Sequence, residues 1–149
     1  MNSKKVRVLF LCTQNSARSQ MAEAFLRLYG GDHFEAHSAG LEPAQIHPYT
    51  HQVMAEVGID LLGDGHRAKS LIDEYFDKQV YLGYLITVCS NAEAKCPIYP
   101  WGGRREYWGF EDPAAFVGRP EAQLVKFREV RDLIAVRVKA FVEQEGMRK

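Results

Sequence analysis

Cys12-Thr13-Gln14-Asn15-Ser16-Ala17-Arg18-Ser19 lies between an apolar run, Val6 to Leu11, and a stretch with helical periodicity that begins at Ser19. The run reads as a buried strand. Met21, Ala22, Phe25, Leu28 and Tyr29 then fall on one face of a helix from Ser19 to Tyr29, ended by Gly30-Gly31. Strand, short polar loop and helix in that order make a βα unit with a cysteine at its hinge. A loop of this kind can turn its backbone N–H groups inward around a tetrahedral anion. The following helix adds its positive end. Arg18 offers a fork to two oxygens, and Ser19 can cap the helix and donate to the Cys12 sulfur. Thr13, Gln14, Asn15, Ser16, Ala17, Arg18 and Ser19 are therefore the expected oxyanion-binding residues, with Cys12 as nucleophile. Such a setting favours the thiolate of a residue whose free pKa is about 8.5.

Further βα units follow. Phe34 to Ser38 reads as a weaker strand, Pro48 to Val57 as a helix stopped by Gly58, and Gly63 to Ser70 as a polar loop. Leu71 to Phe76 reads as a short helix, and Tyr84 to Val88 as an apolar strand ending at Cys89. Beyond a loop rich in proline and glycine, Arg105 to Trp108 is a candidate last strand. The clearest helix runs from Pro120 to Gln144, with Leu124, Phe127, Ile134, Val138 and Phe141 as its stripe. Alternating strands and helices imply a parallel sheet covered on both faces. Ligands in such folds bind at the carboxyl ends of the strands, near a switch in strand order. Cys12 and Cys89 both fall there, and the loop ending in Asp112 is expected to reach the same rim.

The 149 residues suit one domain spanning residues 1–149. Apolar residues make up 46% and charged residues 26%, with a formal net charge of zero, so a broad nucleic-acid face is not expected. No stretch approaches the ~18 apolar residues of a membrane span. The basic opening of Lys4, Lys5 and Arg7 precedes too short an apolar run for a signal peptide, and a cytoplasmic protein is expected. An odd count of three cysteines (Cys12, Cys89 and Cys96) fits a reducing compartment better than a disulfide framework. Cys89 and Cys96 do not have the spacing of a zinc knuckle. Taken alone they could be buried hydrophobes; beside the anion loop, a redox pair is the better reading. His47 with His51, and His33 with His37, lack a third ligand, so no metal site is expected.

The segment CTQNSARSQMAEAF, Cys12 to Phe25, resembles the arsenate reductases built on the low-molecular-weight protein tyrosine phosphatase fold. The likeness continues in His37-Ser38-Ala39-Gly40 (the family's Y-S-A-G) and Glu56-Val57-Gly58-Ile59-Asp60 (its E-V-G-I-D). It extends through Thr87-Val88-Cys89 with Lys95-Cys96-Pro97, and through Trp108-Gly109-Phe110-Glu111-Asp112-Pro113-Ala114. The resemblance implies a three-layer α/β fold, flavodoxin-related, with a four-stranded parallel sheet flanked by helices. It implies that Cys12 attacks arsenate, for which phosphate or sulfate would be mimics, and that Asp112 is the general acid. It implies a Cys12, Cys89, Cys96 thiol–disulfide relay with no bound cofactor, restored by thioredoxin or another external thiol. A monomer suits the size. A helix between Cys89 and Cys96, suggested by Ala92-Glu93-Ala94, would have to unwind for those two to bond.

The chain also departs from the family pattern. Gln14 stands where glycine is common, which would strain the loop if that position needs positive φ. Ala17 replaces a cysteine outside the relay. Potassium is left open: Asn15, Glu23 and Ser38 match the cation site of some members, but its aspartate aligns with Ser70. Two other functions compete with reduction. A phosphatase would use the same Cys12, Arg18 and Asp112, although Gln20 stands where phosphatases usually have proline and Ala114-Ala115 replace their aromatics. A non-catalytic oxyanion-binding module would need neither Asp112 nor the two further cysteines.

Overall fold

The computed structural model describes residues 5–146; Lys4 of the basic opening lies outside the described residues. Its chain order is β1 (Val6–Cys12), α1 (Arg18–Gly30), β2 (Phe34–Gly40), α2 (Pro48–Ala55), a π-helical turn (Ile72–Phe76) and β3 (Leu82–Thr87). α3 (Ser90–Lys95), β4 (Gly102–Tyr107), a short 3-10 turn (Pro113–Ala115) and α4 (Pro120–Gly146) complete it. The four strands form one parallel sheet in the order β2-β1-β3-β4, flanked by helices as expected.

β1 is interior, paired with β2 on one side and β3 on the other, and Val8 to Cys12 are all buried. A strand covered on both faces needs a near-continuous apolar run, which is what the sequence has there. The chain leaves β1 towards β2 and later returns to lay β3 on its other side. The loop after Cys12 thus sits at the switch in strand order, where the strand ends leave a crevice. β4 is an edge strand and mostly exposed, with Arg104 and Arg105 facing water. Charges of this kind blunt an open sheet edge.

Long-range contacts move some boundaries from those read in the sequence. Gly30 belongs to α1, and Gly31 is right-handed with φ −56°, so the glycine pair is no left-handed cap. Gly30 is instead a point of close approach: a Cβ there would lie 2.7 Å from the Phe34 ring. α2 stops at Ala55 rather than Val57. The Val53 carbonyl, which Val57 would need, accepts from Arg131 Nη1 of α4 at 2.9 Å, and Val57 N–H turns to Met54. β4 begins at Gly102 rather than Arg105, because Gly102 pairs with Leu82. In α4 the buried stripe also takes in Val130 and Arg131.

Candidate active site

Cys12 closes β1, and the residues after it form the floor of a cleft of about 400 Å³. Cys12, Thr13, Gln14, Ser16, Ala17 and Arg18 line one side; Cys89, Ser90, Asn91, Asp112 and Ala114 line the other. Three segments distant in sequence therefore meet on one rim, as the strand ends predicted. Cys96 does not line this cleft; it lies at the far end of α3, half-buried. All three thiols are free, and Cys12 and Cys89 are each 3% exposed.

The shape of the loop follows from where its carbonyls go. Those of Cys12, Thr13, Gln14 and Ser16 accept from the backbone N–H groups of Leu41, Glu42, Ala44 and His47, at 2.8–3.2 Å. The Asn15 carbonyl accepts from Gln20 Nε2 at 3.1 Å. With the carbonyls turned onto the segment after β2, the loop amides are left to face the other way, toward the cleft and the sulfur. Asn15 N–H points at Cys12 Sγ from 3.2 Å.

Two expectations for the loop are corrected. Gln14 does not take positive φ; Asn15 does, at 56°, and asparagine tolerates that region far better than glutamine. The strain foreseen at Gln14 is absent. Ser19 does not cap α1, which already begins at Arg18 after Ala17 with no side-chain cap. Ser19 Oγ lies inside the first turn, 2.8 Å from Cys12 Sγ, and accepts from Asn15 Nδ2 at 2.7 Å. Because the amide donates to the Ser19 oxygen, the serine proton is free for the sulfur. Cys12 Sγ thus faces two donors, a setting suited to a negatively charged sulfur.

Arg18 donates through Nη1 to the Phe110 carbonyl at 3.0 Å, and its Nη2 stands 3.6 Å from Asp112 Oδ2. Asp112 Oδ1 accepts from Ala114 N–H at 3.0 Å, which fixes the carboxylate at the start of the Pro113 turn. Across the cleft, Thr13 Oγ1 accepts from Asn91 Nδ2 at 2.7 Å and lies 3.6 Å from Cys89 Sγ. Ala92 N–H points at the same sulfur from 3.4 Å. α3 is tied down through Glu93, which accepts from Thr87 at 3.1 Å and from Arg105 at 2.6 Å. Burial pushes the Cys96 thiol up, with Arg105 opposing and Glu93 adding to the rise.

Beneath the loop is a buried polar layer that the sequence only hinted at. Gln20 Nε2 bridges the carbonyls of Asn15 and Arg67, and Lys69 N–H donates to Asn15 Oδ1 at 2.9 Å. His66 Nδ1 meets Gln20 Oε1 at 3.1 Å, and Arg27 meets its other ring nitrogen at 3.3 Å. Arg27 has only protons to offer, so this geometry suits a neutral His66 that donates to Gln20. Burial also lowers the His66 pKa, against the pull of Glu23. Gln20 entered the sequence reading only as a departure from the phosphatase pattern, and His66 and Lys69 did not enter it. One histidine of each pair has a packing role: His47 Nδ1 caps α2 at Tyr49 N–H, and His37 meets Tyr75 Oη and Glu35.

The loop also rests on Gly40 at the end of β2. A Cβ there would lie 2.7 Å from the Thr13 carbonyl oxygen and 3.0 Å from Asn15 N. Backbone cannot give way cheaply, so Gly40→Ala is expected to cost about 1–3 kcal/mol of overpacking. It should also weaken phosphate binding to the loop. Thermal melting and phosphate titration check this; unchanged values for both would show that the loop does not depend on the close approach.

A cysteine at a strand end, a loop closed by arginine, and an aspartate opposite thus share one cleft at the strand ends of a doubly wound sheet. The chain belongs to the low molecular weight phosphotyrosine protein phosphatase family, whose model matches residues 7–148. It is 42% identical to an arsenate reductase of Shouchella clausii over 95% of this chain and 97% of that one. The fold is similar to that of an arsenate reductase solved in a phosphate-binding state, with TM-score 0.75, 31% identity and coverage of 93% and 98%. It is also similar to a thioredoxin-dependent arsenate reductase of Corynebacterium glutamicum, with TM-score 0.72 and 28% identity, over all of this chain and 66% of that one. Among the described residues no helix is long and apolar enough to cross a membrane.

Proposed function

We propose that this protein is an arsenate reductase that passes two electrons from Cys12 and Cys89 to arsenic. The observation that carries the reading is Cys89 in the same cleft as Cys12, Arg18 and Asp112. Phosphate-ester hydrolysis needs the last three only. A second thiol facing the nucleophile has a use when the sulfur adduct must be resolved by another sulfur.

The chemistry follows in steps. The Cys12 thiolate attacks arsenic, an S–As bond forms, and one oxygen leaves as water with a proton from Asp112. The loop amides and the Arg18 fork hold the remaining oxygens. An oxyanion in the loop competes with Asp112 for Arg18, which loosens their contact. The Cys89 thiolate next attacks the Cys12 sulfur. The S–As bond breaks with its electron pair going to arsenic, so arsenite leaves and a Cys12–Cys89 disulfide remains. Cys96 then attacks Cys89, releasing Cys12 as thiolate and leaving a Cys89–Cys96 disulfide. An external dithiol reduces that bond.

Thioredoxin is the proposed dithiol, on the strength of the Corynebacterium relative. The placement of the thiols supports a relay: a disulfide at Cys12 is buried, while Cys96 is half-buried beside Ile98, itself 87% exposed. Exchange needs access as well as thiolate. Free thiols suit work as a monomer in the reducing cytoplasm. The test is arsenite formation from arsenate with thioredoxin, thioredoxin reductase and NADPH. Sustained turnover is expected; none with arsenate, alongside brisk aryl-phosphate cleavage, would overturn the reductase reading in favour of a phosphatase.

A further inference from the structure

Asn15, Glu23 and Ser38, the residues that match the potassium site of some relatives, are buried, and Lys69 links Asn15 to the Ser38–Glu23 pair. Asn15 Oδ1 is taken by Lys69 N–H at 2.9 Å, and the Ser38 hydroxyl donates to Glu23 Oε1. Ser70, which stands where those relatives have an aspartate, accepts from Asp73 N–H at 3.1 Å through Oγ. No described buried side-chain nitrogen or oxygen lacks a partner. Asn15 Oδ1 and Glu23 Oε1 each already accept a proton of the chain, and the Glu23 charge is already met by Arg27 and Lys69, so the site offers no uncompensated charge to the ion. These residues do not fit the ion.

A positive charge is nevertheless present. Glu23 is buried, with 2% of its side chain exposed, and Lys69 Nζ stands 3.7 Å from Oε1. That ammonium also donates to the Arg67 carbonyl at 3.0 Å, and the Lys69 side chain is 11% exposed. Arg27 Nη2 takes the other carboxylate oxygen at 2.6 Å. The Lys69 backbone binds the surrounding pieces: its N–H holds the Asn15 side chain, and its carbonyl accepts from Gly40 N–H at 2.8 Å. One residue therefore touches the loop, the end of β2 and the buried carboxylate of α1.

We propose that Lys69 is a tethered replacement for the alkali cation, its ammonium supplying the charge at Glu23 that braces the anion loop. The loop of this chain is then independent of potassium. An ammonium suits the role because it is a compact cation with three donors that meet oxygens. Arg27 meets only Oε2, so without the ammonium the buried Oε1 side loses its nearby lysine charge, a need that a free cation can fill.

The inference rests on the oxyanion reading of the loop, and the test separates the two. Wild type is compared in potassium, sodium and choline chloride at matched ionic strength, by thermal melting and by inorganic phosphate titration. The same melting temperature and affinity are expected in all three. Lys69→Ser, which empties the space of the ammonium, should melt about 2–4 °C lower in choline chloride. It should bind phosphate several-fold more weakly, and potassium or ammonium chloride should recover both. Lys69→Met, which keeps the stem and loses the charge, should show the loss as well. Three results overturn the proposal: wild type stabilised by potassium over choline, Lys69→Met indistinguishable from wild type, or a Lys69→Ser defect that no small cation repairs. The wild-type comparison stands even if a variant does not fold. Failure of wild type to bind phosphate in any salt would overturn the oxyanion reading instead, while melting still judges Lys69.

Discussion

Cys12→Ser is expected to abolish arsenite formation, by at least about a thousandfold, a scale typical of losing a covalent nucleophile. Two independent reasons set that size. A serine hydroxyl is almost entirely protonated at neutral pH, so the attacking anion is missing. Even an ester formed slowly through oxygen would be a dead end. The electrons for arsenic come from making an S–S bond, and oxygen cannot take the place of the Cys12 sulfur in it. The fold and the anion site should survive, because the serine oxygen can meet the same Ser19 hydroxyl and Asn15 N–H that now face the sulfur. Coupled turnover, phosphate titration and thermal melting together check this. Retained arsenite production would remove Cys12 from the mechanism and leave the non-catalytic binding module as the better account.

The sequence carries those parts of the molecule that depend on neighbours in the chain. Val8 to Leu11 announces an interior strand because both faces of β1 are covered, so no polar alternation is needed. The anion loop is legible because its strand, polar turn and arginine lie within one short stretch. β4 is a weak signal for the opposite reason: an exposed edge strand carries Arg104, Arg105 and Glu106 and lacks an apolar run. The floor of the loop is the least legible part. Gln20 is far in sequence from His66 and Lys69, and each looks like an ordinary polar residue until the fold places them under Asn15. The Ser19 hydroxyl meets the Cys12 sulfur as expected but does not cap the helix, for a similar reason. A serine at a helix start is usually a cap, but here Asn15 and Cys12 compete for its hydroxyl and draw it into the site. The left-handed residue fell one place later than foreseen, and an asparagine was already there to accept it.

The second large effect divides the relay into its halves. Cys89→Ser should release no arsenite, since nothing resolves the Cys12 adduct, yet aryl-phosphate cleavage should persist because Cys12, Arg18 and Asp112 remain. Cys96→Ser should release about one arsenite per molecule and then stop, trapped as a Cys12–Cys89 disulfide that is too buried for a protein reductant. The two variants thus differ in a single-turnover assay although both fail in steady state. The wild-type relay also demands movement. Seven steps along a helix rise about 10 Å, while a disulfide holds its Cα atoms within about 7 Å. α3 separates Cys89 from Cys96, so it must unwind, releasing Glu93 from Thr87 and Arg105. Burial pushes the Cys96 thiol up, and the movement that exposes it relieves that rise. Formation of the Cys89–Cys96 bond should accordingly quicken as pH rises from about 7 towards 9, where the thiolate fraction grows. Thiol counting with mass analysis of quenched single turnovers reads both the trapped disulfide and the pH trend. Cys96→Ser cycling at the wild-type rate, or arsenite from Cys89→Ser, would rule out the three-thiol relay.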